Sequence, residues 1–377
     1  MRVVIDYRSA LRERSGVGEY THQLARALVA RRDPALEVTI FSSSWKDRLE
    51  RPADLAGANA VDRRVPVRLL NLSWHRLGWP PVESLTGREY DVAHSLHPLL
   101  MPSRRAAQVI TIHDLNFLSH PERTRGEVRR DYVALAATHA QRADRIVVVS
   151  EFTAGEAVQK LGVPRERISV CLVGAPDWPP LAERAKDGYV LFFGTLEPRK
   201  NVGGLLDAYE LLSARLKPSR SFPELVLAGK ETADARQWLE RIARPPLAGH
   251  VRHIGYVDPS RRRELYAGAR LLVLPSFDEG FGIPVLEAMT LGVPVVAANR
   301  GALPEVLGDA GILVDPEQPA SIADAIAKML TDETFASQSI GRGLARARTF
   351  SWTASAGRLV EAYALAVENR KRSCASA

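Results

Sequence analysis

Short apolar runs alternate with longer amphipathic stretches along this chain. The short runs lack the polar alternation of a strand that faces water, which predicts strands buried on both faces of a parallel sheet. The longer stretches place apolar residues three or four positions apart, which predicts helices between the strands. The predicted strands lie at residues 3–5, 38–41, 65–70, 90–94, 108–112, 145–149, 168–173, 189–193, 224–228, 251–254, 271–274 and 293–297. This order of elements is typical of an α/β protein.

A break in the alternation divides the chain. Residues 175–187 combine three prolines with charged residues and show no periodicity, which predicts a linker. We therefore expect one domain over residues 1–174 and a second over residues 188–350, each large enough for its own core. Residues 351–377 then hold a last helix and a polar tail.

The stretch at residues 271–289 joins a buried strand to a helix through a glycine-containing loop. Gly280 and Gly282 allow close packing or positive φ, and Pro284 is expected at the first helical position because it has no amide to leave unpaired. The neighbouring amides then have no helical partners, and they lie at the carboxyl end of a parallel strand. Such a helix N-terminus favours a phosphate or a sugar oxygen.

Two carboxylates, Glu279 and Glu287, flank these amides. We expect the first in the loop and the second in the first helical turn, where both can accept hydrogen bonds from hydroxyl groups. Hydroxyls together with phosphate indicate a nucleotide sugar. Taken alone, the same residues also fit a solvated loop glutamate and a glutamate that only interacts with the helix dipole.

Other predicted strand ends carry candidate groups with a second interpretation. Gly16 and Gly18 follow the first strand as a partial G-x-G fingerprint, and they equally fit a plain turn. His113 ends another strand, where a histidine can contact a ligand or be a satisfied core residue. Arg199 and Lys200 lie at a strand-to-helix junction, where two cations can meet a diphosphate or simply be solvated.

Residues 123–142 predict a helix with one apolar face. Its arginines include Arg125, Arg129, Arg130 and Arg142. One interpretation is a solvated basic face on a core helix. The other is a surface for anionic lipid or a charged acceptor.

Composition and charge exclude little. The charged content of 25% and apolar content of 46% are ordinary for a soluble globular protein. The two cysteines show neither metal spacing nor a disulfide framework, which fits a reducing cytoplasm. Neither a signal peptide nor a spanning helix is expected, because no apolar run approaches about 18 residues. The net charge of +7 suits nucleotide diphosphates, anionic lipid and nucleic acid alike.

The string E-G-F-G-I-P-V-L-E-A at residues 279–288 resembles the E-x7-E signature of retaining glycosyltransferase family 4. F-G-T-L-E-P-R-K-N at residues 193–201 resembles the family's diphosphate-binding motif, and T-I-H-D-L at residues 111–115 resembles its N-domain motif. The resemblance covers nearly the whole chain and is closest over residues 190–315. It implies the GT-B fold: two Rossmann-like domains with parallel sheets facing across a cleft, and a C-terminal helix that returns to the first domain.

The resemblance also implies roles for individual residues. His113 would face the donor sugar and Glu279 would contact it, so these two are the catalytic candidates. The donor-binding candidates are Gly16, Gly18, Arg199, Lys200, Tyr256, Val257, Phe281, Gly282, Ile283 and Glu287. Arg199 and Lys200 would bind the diphosphate and Glu287 the ribose. No two aspartates form the D-x-D pair by which many other glycosyltransferases hold a metal, so we expect neither a metal nor a cofactor beside the nucleoside-diphosphate sugar.

The implied reaction is transfer of a sugar from a nucleoside-diphosphate donor to a glycan or lipid-linked saccharide hydroxyl, with retention, in bacterial polysaccharide or cell-surface glycan synthesis. HDLNFLSHPE and FFGTLEPRKN are similar to bacterial mannosyltransferases, so GDP-mannose is the first candidate donor. Peripheral contact with an anionic membrane from the cytoplasmic side is a further expectation, and nucleic acid is not an expected partner. The alternatives are a nucleotide-sugar hydrolase, phosphorylase or epimerase on the same fold, or a catalytically silent nucleotide-sugar-binding subunit.

Overall fold

A computed structural model describes residues 1–11, 16–121, 131–215 and 223–375. The chain divides into two compact units. Unit 1 comprises Met1–Gly174 with Ser351–Ala377, and unit 2 is the continuous segment Ala175–Phe350. Residues 175–187, the expected linker, belong to unit 2. Each unit contains a parallel sheet with helices in its connections, so the predicted α/β class with two Rossmann-like domains is confirmed.

The described strands of unit 1 form one sheet in the order β3-β2-β1-β4-β5-β6-β7. They are β1 (Arg2–Asp6), β2 (Glu37–Ser43), β3 (Asn59–Arg63), β4 (Val92–Ser95), β5 (Ala107–Ile112), β6 (Arg145–Val148) and β7 (Ile168–Val170). The helices described in this unit are α1 (Val17–Ala30), α2 (Val67–Leu72), α3 (Val82–Thr86), α4 (Asn116–Ser119), α5 (Val133–Arg142), α6 (Glu151–Leu161) and the C-terminal α14 (Trp352–Ala375). The central strands are buried throughout, as their apolar runs predict.

Unit 2 has the strand order β10-β9-β8-β11-β12-β13 among its described residues. These strands are β8 (Tyr189–Phe193), β9 (Leu225–Ala228), β10 (Val251–His253), β11 (Ala269–Leu274), β12 (Val295–Ala298) and β13 (Ile312–Val314). The helices are α7 (Val202–Arg215), α8 (Arg236–Ile242), α9 (Pro259–Ala267), α10 (Ile283–Leu291), α11 (Leu303–Leu307), α12 (Pro319–Thr331) and α13 (Glu333–Ala347).

The direction of strand addition reverses once in each sheet. The reversal lies between β1 and β4 in unit 1 and between β8 and β11 in unit 2. At such a switch point the connecting helices diverge to opposite faces, which leaves a crevice at the carboxyl ends of the strands. The two switch points are therefore the expected positions of functional side chains.

The prediction of a strand at residues 65–70 is wrong. This stretch enters α2, with Pro66 immediately before the helix. The buried positions Leu70 and Trp74 are four residues apart, a helical spacing that the short apolar run conceals. The third strand is instead β3, a partly exposed edge strand whose sequence NAVDR carries little apolar signal.

The structure bears on the bounds of two predicted helices. α1 begins at Val17, so Gly18 lies in its first turn and Gly16 lies immediately before the helix. Of the helix predicted at residues 123–142, the structure describes α5 and its immediate approach from residue 131. Arg125, Arg129 and Arg130 lie outside the described residues. Within the described ranges, no helix is both long and apolar enough to cross a bilayer.

Candidate functional site

The loop after β11 turns into α10 through Gly282. Its φ of +98° is in the left-handed region, and a Cβ there would lie 2.6 Å from Leu303 Cδ2, so the position requires glycine. α10 begins at Ile283, which makes Pro284 its second residue and not its first. In the described part of the chain, the amides of Phe281, Gly282 and Ile283 donate to no other backbone or side-chain group. The predicted set of available donors at this helix N-terminus is present.

Glu279 is buried beside this N-terminus. Its carboxylate accepts a hydrogen bond from Lys200 Nζ at 2.5 Å and another from Ser276 Oγ at 2.8 Å. Arg199 Nη1 lies 3.7 Å from its second oxygen. Burial raises the pKa of Glu279, but the charges of Lys200 and Arg199 outweigh burial and hold the pKa below its ordinary value. Glu279 is therefore an ionised carboxylate in a largely dry setting.

The backbone of Glu279 is fixed by the turn at Gly301. Ala302 N donates to Glu279 O at 2.8 Å. Gly301 has a φ of +61°, and a Cβ there would lie 2.7 Å from both the nitrogen and the oxygen of Glu279. Any larger residue would push the catalytic candidate out of place. Nothing in the sequence around Gly301 indicates this contact.

Arg199 and Lys200 occupy the turn Pro198–Lys200 after β8. Asn201 follows with a φ of +54° and caps α7, its Oδ1 accepting from Gly204 N at 3.2 Å. Arg199 Nε also donates to Glu197 Oε1 at 2.6 Å. Burial lowers the pKa of Lys200 while the charge of Glu279 raises it. Because β8 and β11 adjoin at the switch point, the two predicted cations and the predicted acid meet there.

Glu287 lies one turn into α10, beyond the first turn where it was expected. It is buried, and Arg262 on α9 donates from Nη1 to its Oε1 at 2.9 Å. Burial and then the negative charge of Glu287 raise the pKa of the adjacent Tyr266. Sequence analysis missed Arg262 because it is the middle of three consecutive arginines, and nothing in the string shows which one is buried.

Tyr256 and Val257 lie after β10 on the same carboxyl edge and are partly buried. The Tyr256 ring lies 4.9 Å from Lys230 Nζ, which follows β9. Gly229 N donates to Gly255 O at 2.8 Å, which holds these two loops together. These two predicted donor-binding residues therefore lie farther along the unit 2 edge, away from the Lys200–Glu279 pair.

In unit 1, His113 follows β5 as predicted. Its Nε2–H donates to Leu96 O at 3.2 Å. Its ring forms a T-shaped arrangement with the ring of Tyr20, and the two ring centroids are 4.8 Å apart. Burial lowers the pKa of His113 to about 4, so the imidazole is neutral near pH 7 with Nδ1 as its remaining acceptor. Gly16 precedes α1 with a φ of +52°, and a Cβ on Gly18 would lie 2.6 Å from the backbone oxygen of Ser9.

The unit 1 switch point holds a group that sequence analysis missed. Asp6 ends β1 and forms a two-bond ion pair with Arg8, at 2.8 and 2.6 Å. Arg8 Nη1 also donates to Asn71 Oδ1 at 2.5 Å, and His97 Nε2, after β4, lies 3.5 Å from Asp6. Burial raises the pKa of Asp6, but Arg8 and His97 reverse this and lower it far below its ordinary value. A D-Y-R tripeptide at a strand end gives no signal of such pairing.

No cluster of three or more His, Cys, Asp or Glu side chains suited to a metal ion occurs among the residues the structure describes.

Two family models match this chain in succession. Glycosyltransferase Family 4 matches residues 14–176, and Glycosyl transferases group 1 matches residues 178–343. The O-antigen chain mannosyltransferase B of Escherichia coli is 33% identical over 373 residues, which covers 93% of this chain and 96% of that protein. The chain belongs to glycosyltransferase family 4. The resemblance inferred from its motifs is confirmed, and the protein is a glycosyltransferase.

Solved structures place this family 4 glycosyltransferase in the GT-B fold. Sucrose-phosphate synthase from Thermosynechococcus elongatus has a TM-score of 0.75 at 20% identity and covers 96% of this chain and 98% of its own. HepE from Anabaena, solved in complex with UDP and glucose, has a TM-score of 0.67 at 18% identity, with coverages of 96% and 98%. At these identities the likeness concerns the fold.

Proposed function

We propose that this glycosyltransferase moves mannose from a nucleoside-diphosphate sugar, GDP-mannose in the first instance, to a hydroxyl of a growing bacterial polysaccharide or lipid-linked saccharide, with retention of anomeric configuration. The mannosyl group and the polysaccharide are supported by the similarity to the O-antigen chain mannosyltransferase. The observation that carries the chemistry is the meeting of Arg199, Lys200 and Glu279 beside the available amides of residues 281–283.

In this proposal, the bond from the anomeric carbon to the diphosphate breaks and a bond to the acceptor oxygen forms on the same face. The departing diphosphate gains negative charge, which Arg199, Lys200 and the N-terminus of α10 stabilise. A diphosphate oxygen takes the proton of the acceptor hydroxyl, so no side chain has to act as general base. These cations are already in place, so the reaction needs no divalent ion.

Glu279 has two tasks in this scheme. Its charge keeps Lys200 protonated despite burial, and a carboxylate oxygen accepts a hydrogen bond from a hydroxyl of the donor sugar. Glu287, oriented by Arg262, accepts from the ribose hydroxyls. His113, neutral with Nε2 engaged, offers Nδ1 to a sugar hydroxyl.

The test is a transfer assay with GDP-mannose and other nucleotide sugars as donors, with and without mannose-terminated oligosaccharides as acceptors. It measures nucleotide release and the anomeric configuration of the first product. We expect release of GDP that requires the acceptor and a product with the anomeric configuration of the donor. Release without acceptor would indicate a hydrolase, and release that requires inorganic phosphate a phosphorylase. Binding without turnover would indicate a silent subunit, and an inverted product would refute retention.

A further inference from the structure

Five large apolar side chains of unit 1 are unusually exposed and lie in one region, which we call the apolar patch. They are Trp45 (68% exposed), Leu69 (61%), Leu72 (50%), Leu77 (75%) and Trp79 (65%). The other exposed large apolar side chains in the described part of this unit are scattered and reach at most 40%. A contiguous apolar surface of this kind usually marks an interaction site.

The patch is built by a helix with apolar side chains on both sides. α2 continues into a further helical segment, Ser73–Leu77. Leu70 and Trp74 are buried against the core of unit 1, while Leu69 and Leu72 face solvent. Leucines exposed opposite the buried side of a helix are apolar surface available to a partner or to lipid.

Local contacts bring the remaining members of the patch to this helix. Trp79 N donates to Ser73 O at 3.4 Å, so the chain folds back beside the helix. Ser44 N donates to Arg63 O at 3.1 Å, which places Trp45 next to the end of β3 and the approach to α2. The patch therefore lies at the carboxyl edge of β2 and β3, the same edge of the sheet that carries His113 after β5.

Most of the patch lies in a segment whose charged residues are all basic. Residues 63–81 contain no Asp or Glu, and they include four exposed arginines. These are Arg63, Arg64, Arg68 and Arg76. Arg76 pairs with Asp131 at 3.1 Å, whereas Arg64 and Arg68 have no carboxylate partner in the described part of the chain. Acidic residues do occur near Trp45: Asp47 and Asp62 are partly buried and engage Ser44 and Arg48, and Glu50 is exposed.

We propose that the apolar patch docks unit 1 on a bilayer surface containing anionic phospholipid. Tryptophan and leucine enter the boundary between headgroups and acyl chains, and the arginines meet the phosphates. Exposed tryptophan and leucine beside an excess of arginine suit an anionic headgroup layer better than a protein partner, whose surface would normally carry both signs of charge. Docking needs neither donor nor acceptor, so this surface goes beyond the proposed transfer reaction.

The test is sedimentation of the full chain with vesicles of phosphatidylcholine alone and of equal parts phosphatidylcholine and phosphatidylglycerol. We expect binding to the mixed vesicles that weakens as salt is raised. Arg64→Gln with Arg68→Gln should lower the partition coefficient by about thirtyfold, since each basic residue near such a surface contributes about 1 kcal/mol. Leu69→Ser with Leu72→Ser should lower it by at least about tenfold.

Matched controls remove the same groups elsewhere on unit 1. Arg31→Gln with Arg105→Gln removes two exposed arginines at the amino edge of the sheet, and Leu365→Ser removes an exposed leucine of α14. These variants should bind vesicles as the parent does. All variants should keep the parent's melting temperature and its stabilisation by GDP-mannose, which separates loss of docking from loss of folding or of the donor site.

Three results would overturn the proposal. The first is a failure to show specific docking, seen either as absence of binding to the mixed vesicles or as an equal loss of vesicle binding in the patch variants and the control variants. The second is that patch variants keep vesicle binding but lose self-association in sedimentation velocity, which would make the patch a protein interface. The third is that Arg129→Glu with Arg130→Glu abolishes binding while patch variants do not. Failure of mannosyl transfer with docking intact would refute only the proposed function.

Discussion

The two units place different ionisable groups at the same topological position. The unit 2 switch point holds a cluster of opposite charges, Arg199 and Lys200 around Glu279. Unit 1 instead concentrates histidines: seven of the nine in the chain belong to it, and His97 and His113 follow strands at the corresponding carboxyl edge. His113 is neutral there because burial disfavours the imidazolium. The charges of Asp6 and Arg8 at this edge are paired with each other.

This difference fits two kinds of ligand. A set of fixed cations and free amides suits a diphosphate, whose charge persists through the reaction and grows at departure. Neutral imidazoles suit hydroxyl groups, which need a donor or an acceptor and no net charge. We infer that the charge-dependent part of catalysis lies in unit 2 and that the pH-sensitive part of the structure lies in unit 1. The following predictions test that division, from the largest expected effect to the smallest.

Removing a cation of unit 2 should have the largest effect. Arg199→Ala and Lys200→Ala should each lower turnover by about a hundred- to a thousandfold, because each removes a preorganised donor from the developing charge. Lys200→Ala should also destabilise unit 2 by about 3–5 kcal/mol, because it leaves Glu279 buried without its cation. Turnover and urea unfolding measured on the same preparations give both numbers.

A matched double variant separates these two losses. Lys200→Met with Glu279→Gln removes both charges together, so stability should return most of the way while turnover stays low. If turnover returned with stability, Lys200 would be a structural partner of Glu279 and not a ligand of the diphosphate.

The two glutamates should differ in the kinetic parameter they affect. Glu279→Gln should lower kcat by about ten- to a hundredfold, because its charge supports Lys200 and contacts the sugar as the bond breaks. Glu287→Gln should raise the donor KM by about tenfold with little change in kcat, because a ribose contact exists before and during reaction. Steady-state kinetics over a range of donor concentrations distinguishes the two variants. If both changed kcat and the donor KM in the same proportion, the separate roles of the two glutamates would be refuted.

A feature could be predicted from the sequence when neighbouring residues specify it, and could not when it depends on residues far apart in the chain. Glu279, Gly282 and the helix after them were predictable because one short string specifies strand, turn and helix start. The pairing of Lys200 with Glu279 was not, because it depends on β8 and β11 being neighbours, and they are separated by two other strands in sequence. The sequence allowed us to infer that Lys200 and Glu279 lie at the carboxyl edge of the sheet, but not that their side chains are in contact.

Features without a pattern of their own were missed. Arg262 becomes a partner of Glu287 only through the rotation of α9, which its arginine-rich sequence does not reveal. β3 has too few apolar residues to signal a strand, because it lies at the sheet edge and is half exposed. The histidine environment of unit 1 depends on burial, a tertiary property that residue type alone does not carry.

Acid should destabilise unit 1 more than unit 2. Burial lowers the pKa of His94 and His75 to about 3, and that of His139 to about 4. Between about pH 6.5 and these values the unfolded chain binds protons that the folded chain does not, so stability present above pH 6.5 is lost as pH falls. From about pH 7 to pH 5, His94 alone should cost about 2 kcal/mol.

Hydrogen exchange resolved by unit provides the measurement. Core amides of unit 1 should lose protection on this acidification after correction for intrinsic rates, and those of unit 2 should change little. His94→Gln should be less stable at neutral pH but show a smaller dependence on pH. Equal losses in both units would contradict the division drawn above.

Chelation should have the smallest effect. Saturating EDTA should leave turnover nearly unchanged, because Arg199, Lys200 and the α10 amides supply the positive potential that a metal would otherwise provide. Inactivation that magnesium or manganese reverses would mean that a metal holds the diphosphate, and the roles of both cations would then be withdrawn.

The C-terminal helix has a consequence for how the protein is made. α14 packs in unit 1, where Tyr363 shares a hydrogen bond of 2.8 Å with His94 and Asn369 donates to Asp144 O at 3.0 Å. Unit 2 is continuous and leaves the ribosome whole, whereas unit 1 begins first and lacks one of its helices until the intervening unit has been translated. A chain released before α14 would therefore leave exposed the apolar residues of unit 1 that this helix covers, so we expect unit 1 to be the part of the nascent protein more prone to aggregate.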